Sequence, residues 1–146
     1  MGSLTFLLDS NVLSELTKTQ ANVGVMVKLA EHRAACATTT VVLQELAYGV
    51  ARLPEGARKA RLQSFVSGLA DCGMAILPYD LDAALWHARE RARLESSGLA
   101  PPFRDGQIAA VAASRNLTLV SRNLADFQHF QGLSSASWFT ESPSSC

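Results

Sequence analysis

The sequence predicts an α/β fold: one domain, an α/β/α sandwich around a central, mainly parallel sheet of four to five strands. Three observations point there. Short apolar runs recur at residues 4–8, 35–38, 75–77 and 117–121, each suited to a strand buried on both faces. The segments between them carry helical rather than alternating periodicity, and strand–helix alternation favours a parallel sheet with helices on both faces. Finally, 146 residues with 48 % hydrophobic and 18 % charged side chains suffice for one self-contained core, and the composition is neither disordered nor fibrous.

Taken in order, residues 4–8 form the first strand and residues 11–17 start a helix directly after it, which leaves Asp9 at the carboxyl end of the strand. Residues 21–33 have the helical spacing of Val23, Val27 and Ala30, and residues 35–38 give a second strand that ends in a threonine cluster. Thr39 or Thr40 then caps a helix over residues 41–53, whose buried side is assigned to Val42, Leu46, Tyr48 and Val50. Glu45 is the odd member of that helix, while Arg52 on it and Glu15 on the first helix are read as exposed. Pro54 and Gly56 separate it from a helix over residues 57–70, on which Arg58, Lys59 and Arg61 form a solvated basic face away from any site residue.

Residues 75–77 give the third strand, and Asp80 or Asp82 caps a helix running to residue 96. After a loop at residues 97–102, a helix over residues 104–115 buries Ile108, Ala109, Val111 and Ala112 and carries Asp105 in its first turn. The fourth strand, residues 117–121, is followed at once by NLADF, residues 123–127, so Asp126 falls at the same edge as Asp9. Apolar pieces around Leu133 and Trp138 supply an edge strand. The domain proper is assigned to residues 1–133, with 134–146 an edge segment and Ser-rich tail whose last residues are expected to be mobile.

Thirteen Lys and Arg balance 13 Asp and Glu, so no global field draws the chain to nucleic acid or membrane, and a polyanion must be met by a local patch. The three cysteines, Cys36, Cys72 and Cys146, are far apart and lack CxxC spacing, which disfavours a disulfide framework or zinc site. No apolar run reaches the roughly 18 residues of a membrane span, and no signal-type core is visible at the N-terminus. A cytoplasmic protein without membrane contact is expected.

Asp9, Glu45, Asp105 and Asp126 each sit where the apolar pattern turns them towards the carboxyl edge of the sheet. Like charges a few ångströms apart raise one another's pKa or demand a cation, and four oxygen ligands suit Mg²⁺ or Mn²⁺ with water completing the shell. On the residues alone, four unrelated caps and surface acids are the competing reading. His32, His87 and His129 lie outside the segments that carry these acids, and no Ser–His–Asp arrangement is visible.

The segments LLDSNVLSEL, TVVLQELAYGV, PPFRDGQIAAVAASRNLTLVSRN and LADF resemble the four landmark segments of the PIN-domain family. More narrowly, they are similar to the VapC-type toxin ribonucleases of bacterial toxin–antitoxin pairs. The resemblance implies a metal-dependent endoribonuclease that hydrolyses RNA phosphodiester bonds. It implies Mg²⁺ or Mn²⁺ held directly by Asp9 and Asp105, with Glu45 and Asp126 binding directly or through water. Ser10, where the family more often has Thr, together with Asn11, Ser121 and Asn123, matches the polar positions that brace the acids.

The same resemblance implies a cognate VapB-like antitoxin and a homodimer, with a toxin–antitoxin hetero-oligomer in the bound state. Arg104 is an unexpected cation beside Asp105: it pairs with a carboxylate, binds substrate phosphate or points to solvent. Arg104 and Arg122 are the candidates for an RNA-facing rim. A housekeeping PIN nuclease without antitoxin, or a non-cleaving RNA- or protein-binding module, are the alternatives, and retention of all four acids argues against the second. Haloacid-dehalogenase-like phosphatases need an acid at the position of Asn11, and receiver domains need an acidic pair before the first aspartate; neither is present.

Overall fold

The computed structural model describes residues 3–141. Strand β1 (Phe6–Leu8) leads into a short helix α1 (Ser10–Leu13) that tightens into a 3₁₀ turn (Ser14–Thr17), followed by α2 (Val23–His32) and β2 (Cys36–Thr39). The chain continues through α3 (Thr40–Ala51), α4 (Ala57–Asp71), β3 (Ala75–Leu77), α5 (Leu81–Ser96), α6 (Phe103–Ser114) and β4 (Thr118–Val120). A 3₁₀ turn (Leu124–Phe127) and β5 (Ser134–Ala136) complete it. The end of the Ser-rich tail and Cys146 lie outside the described residues.

The five strands form one sheet in the order β3-β2-β1-β4-β5, and every pairing is parallel. The edge strand expected near Leu133 and Trp138 is therefore β5, between them. Chain order runs outward from β1 in one direction to β3 and then in the other to β5, so the order reverses between β1 and β4. Right-handed crossovers on either side of such a reversal put helices on opposite faces and open a crevice at the carboxyl ends of the two central strands.

The core explains the strand signals. Leu7, Leu8, Leu119 and Val120 are fully buried, as are Ala37 and Thr38. Thr38 is tolerated there because its hydroxyl donates to Leu8 O at 2.9 Å, which satisfies the one polar group on β2 that faces the neighbouring strand. Thr39 caps α3, accepting from Val41 N, and Asp80 caps α5, accepting from Ala83 N. Helix α6 is buried more completely than expected: Ala110 joins Ile108, Ala109, Val111 and Ala112 in the core. Its small side chains let it lie close to α5 as well as to the sheet.

Two sequence assignments are corrected. Tyr48 is 53 % exposed with Arg52 over its ring at 5.4 Å, because position 48 lies about half a turn away from the Val42–Leu46–Val50 stripe. Glu15, read as an exposed helix residue, has a side chain only 5 % exposed and pairs with Lys18. Its Oε1 also accepts from Asn22 N at 2.8 Å, a contact made when the chain turns back into α2. These donors hold its carboxyl below the usual range.

Glu15→Ala should lower unfolding stability by about 1 kcal/mol at neutral pH, since it strips a partner from a part-buried amide. Because the folded-state pKa is depressed, the wild-type advantage is present above the ordinary carboxylate value of 4.5 and fades as pH falls through the folded value. Urea unfolding of both proteins at neutral pH and near pH 3 measures this; equal stabilities at neutral pH would contradict it.

Candidate active site

The crevice between β1 and β4 is where the acids gather. Asp9 follows β1 directly and is 7 % exposed. Its main chain continues the sheet, Asp9 N donating to Val120 O at 3.0 Å, while its side chain caps α1. Oδ1 accepts from Ser10 N at 2.8 Å and Oδ2 from the Ser121 hydroxyl at 2.8 Å. Both oxygens are thus aimed by donors from two different segments.

Ser121 is the hub of this bracing. Its Oγ also accepts from Asn11 Nδ2 at 3.3 Å and from Asn123 N at 3.2 Å, and Asn11 Oδ1 accepts from Arg122 N at 3.0 Å. The four polar positions named from the sequence, Ser10, Asn11, Ser121 and Asn123, all come together around Asp9. Asn123 contributes its backbone rather than its side chain.

The other three acids surround this point at increasing exposure. Asp105 lies half-buried in the first turn of α6, Glu45 half-buried on α3, and Asp126 exposed in the 3₁₀ turn anchored by buried Phe127. Burial and the charges of Asp9, Asp126 and Glu45 push the Asp105 carboxyl up to about 6, against a smaller opposing pull from Arg104. Burial also raises Asp9, offset in part by the Ser121 and Ser10 hydrogen bonds and reinforced by the charge of Asp126. These mutual effects link all four acids electrostatically.

Of the three roles left open for Arg104, the structure takes the first: its Nη1 lies 3.6 Å from Glu45 Oε1, both side chains partly exposed at 45 % and 33 %. Arg122 is at the site by its backbone only. Its guanidinium lies over the Phe139 ring at 4.9 Å, and its charge acts on Glu15. The side chain is engaged away from the acids beside which its position in the sequence put it.

Two contributors escaped the sequence reading. A Cβ on Gly106 would stand 2.2 Å from His87 Nε2, so only glycine lets the start of α6 sit this close to α5. His87, buried and bonded through Nδ1 to Tyr79 OH at 3.2 Å, is the wall behind that turn. Since Asp105 precedes Gly106, this close approach sets how deep the carboxylate lies. The glycine beside an acid was visible; the histidine that demands it was not.

The donors are oxygens only, and their repulsion is what a hard divalent cation would relieve. Among the described residues no three acids are grouped closely enough to form a ready-made metal cage. An ion such as Mg²⁺ binds through one or two carboxylates and keeps several waters. Asp9 and Asp105 could hold it directly, and Glu45 and Asp126 through water.

The raised Asp105 pKa has a defined sign. An ionised carboxylate at this position opposes folding, so the cation-free protein gains stability as pH falls through about 6 towards the ordinary value of 3.8, and that gain is absent above 6. Asp105→Asn should therefore stabilise the cation-free protein near pH 8 by on the order of 1 kcal/mol after solvent screening, and by much less near pH 4.5. Denaturant unfolding in chelator measures the difference; destabilisation by the amide at pH 8 would contradict the assigned repulsion.

Comparison with known proteins agrees with this arrangement. The family model described as the PIN domain matches residues 6–133. The chain is 31 % identical over 124 residues to VapC ribonuclease Y4jK of Sinorhizobium fredii, covering 83 % of this chain and 89 % of that protein. It is 28 % identical over 136 residues to the tRNA(fMet)-specific endonuclease VapC of Salmonella typhimurium, covering 92 % and 98 % respectively. Among solved structures, DNA-bound VapBC from Salmonella typhimurium superposes with a TM-score of 0.81 at 26 % identity, covering 92 % of this chain and 98 % of that one. FitAcB from Neisseria gonorrhoeae also gives 0.81, at 28 % identity and coverages of 90 % and 96 %. The chain therefore belongs to the PIN-domain family, among its VapC-type members.

Proposed function

We propose that this protein is a divalent-metal-dependent endoribonuclease acting as the toxin of a toxin–antitoxin pair, with Mg²⁺ or Mn²⁺ as cofactor. One observation supports the reading most strongly: burial, and after it the charges of Asp9, Asp126 and Glu45, push the Asp105 carboxyl up to about 6, so acids from four separate segments act on one another at the β1–β4 crevice. Scattered caps and surface acids would not act together in this way. Relatives named as VapC ribonucleases make RNA the substrate to test first.

Bound at these acids, a divalent cation would supply Lewis acidity and an activated water for phosphodiester hydrolysis. The chain's own part is positional. Ser10 and Ser121 fix both oxygens of Asp9, Asn11 and Asn123 fix Ser121, and the Gly106–His87 contact sets the depth of Asp105. Arg104 holds Glu45 in the absence of a stronger cation and, released, faces the phosphate as the rim residue of the cleft.

The partners proposed are an RNA substrate, a VapB-like antitoxin and a second copy of this chain, as its likeness to the VapC-type relatives implies. The compartment proposed is the cytoplasm. Cys36 and Cys72, the cysteines within the described residues, are both free thiols, and no described helix is long and apolar enough to cross a membrane.

Purified protein should cleave RNA with Mg²⁺ or Mn²⁺ and lose the activity in chelator. Asp9→Asn should reduce turnover by about 10²-fold or more while leaving a folded chain, since a group acting in the transition state is changed with little change of shape. Robust cleavage in EDTA would remove the metal-hydrolysis mechanism. Expression without antitoxin should arrest growth and Asp9→Asn should relieve it; harmless expression of an active enzyme would remove the toxin reading.

A further inference from the structure

A groove of about 420 Å³ runs from the acidic crevice between α3 and α4, and no catalytic role accounts for it. Its lining joins Ser10 and Glu45 of the site to the hydroxyls of Ser14 and Thr17, the apolar Leu46, Leu53 and Phe65, and the cation of Arg58. Its size is that of a small-molecule or single-nucleotide site. Arg58 is exposed, as expected of a cation on a helix that carries no site residue, and α4 folds back along α3 to bring it to the groove that Glu45 also lines.

Gly49 marks this groove as a space that is kept open. It lies inside α3, one turn beyond Glu45 on the same face, with no positive φ to require glycine and nothing within 4 Å of where a Cβ would stand. Glycine weakens a helix interior relative to alanine, and neither backbone nor packing explains it here. A side chain at this position would lie back over the preceding turn, towards Glu45. What glycine secures is an unobstructed approach to the acid along the groove.

The lining selects the occupant. Ser14 Oγ and Thr17 Oγ1 spend their hydrogens on the carbonyls of Ser10 and Ser14, at 2.8 and 2.7 Å, so their oxygens meet a ligand as acceptors. Acceptors complement a ribose 2′-hydroxyl or a base amino group. Phe65 and the leucines offer an apolar wall to a base, and Arg58, which among the described residues has no carboxylate within ion-pair distance, offers a cation to a phosphate.

Resting on the ribonuclease reading above, we propose that the α3–α4 groove is the subsite for the nucleoside next to the scissile phosphate, with Arg58 binding the following phosphate and Gly49 keeping the path clear.

The test is binding of a labelled, mixed-sequence single-stranded RNA by full-length protein in a non-cleaving Asp9→Asn background. Gly49→Met, whose Cβ meets open space, should weaken RNA binding about tenfold by filling the groove. Arg58→Ala should weaken it several-fold and make the slope of log affinity against log salt shallower by about 0.7, one phosphate contact on a single strand. With Asp9 restored, Mn²⁺ affinity read by electron paramagnetic resonance should match wild type for both Gly49→Met and Arg58→Ala, which separates loss of the subsite from damage to the acids. Parent-like RNA affinity and salt slope in both variants would overturn the subsite while leaving the ribonuclease reading intact. Intact RNA affinity with loss of antitoxin binding would overturn it in favour of a peptide groove. Absence of any RNA binding by the Asp9→Asn protein, with no cleavage by wild type, would overturn both.

Discussion

Four carboxylates held in one partly buried crevice repel one another, and the arrangement persists because the rest of the chain restrains them. Asp9 is the deepest of them, and each of its oxygens is tied by a hydrogen bond at 2.8 Å. Those bonds offset part of the cost of burying its charge, which still leaves its pKa raised. Asp105 accepts no comparable hydrogen bond among the described residues and is pushed up to about 6. Local bracing thus favours the charge on Asp9, and the repulsion left on Asp105 is what a bound cation would relieve.

The topology supplies the restraint at low cost in sequence. A parallel sheet whose order reverses between β1 and β4 brings the chain following each strand to the same place, so Asp9 and Ser121 become neighbours although 112 positions separate them. Small residues then set distances. Gly106 lets α6 close on His87, and the alanines of α6 let it lie deep between α5 and the sheet. Gly49 on α3 does the reverse and holds a surface open. The two glycines follow the two acids of their helices, one bringing structure in and one keeping it out.

Strand and helix positions were legible because each depends on its own periodicity: β3 matches at both ends, and α4, α5 and α6 begin and stop within a residue or so of where caps and breakers put them. The four acids were legible as a set through the segments around them. What stayed hidden depends on partners far along the chain. Glu15 looks exposed until Asn22 N comes back to it, nothing near Arg122 announces the Phe139 ring under its guanidinium, and nothing near exposed Arg58 announces the groove it reaches once α4 folds against α3. Periodicity assigns a face to a residue but not the element that will cover it.

If repulsion among these acids is what a cation relieves, binding must appear as stability, whatever the substrate. Following the unfolding temperature across a Mn²⁺ titration measures this directly, since a ligand bound only by the folded state stabilises it by RT ln(1 + [L]/Kd). The account predicts a steady rise for the wild type and none for a protein carrying both Asp9→Asn and Asp105→Asn, which starts from a higher value in chelator because the repulsion is gone. A wild-type unfolding temperature that stays flat across the titration, or a rise that survives both substitutions, would contradict it.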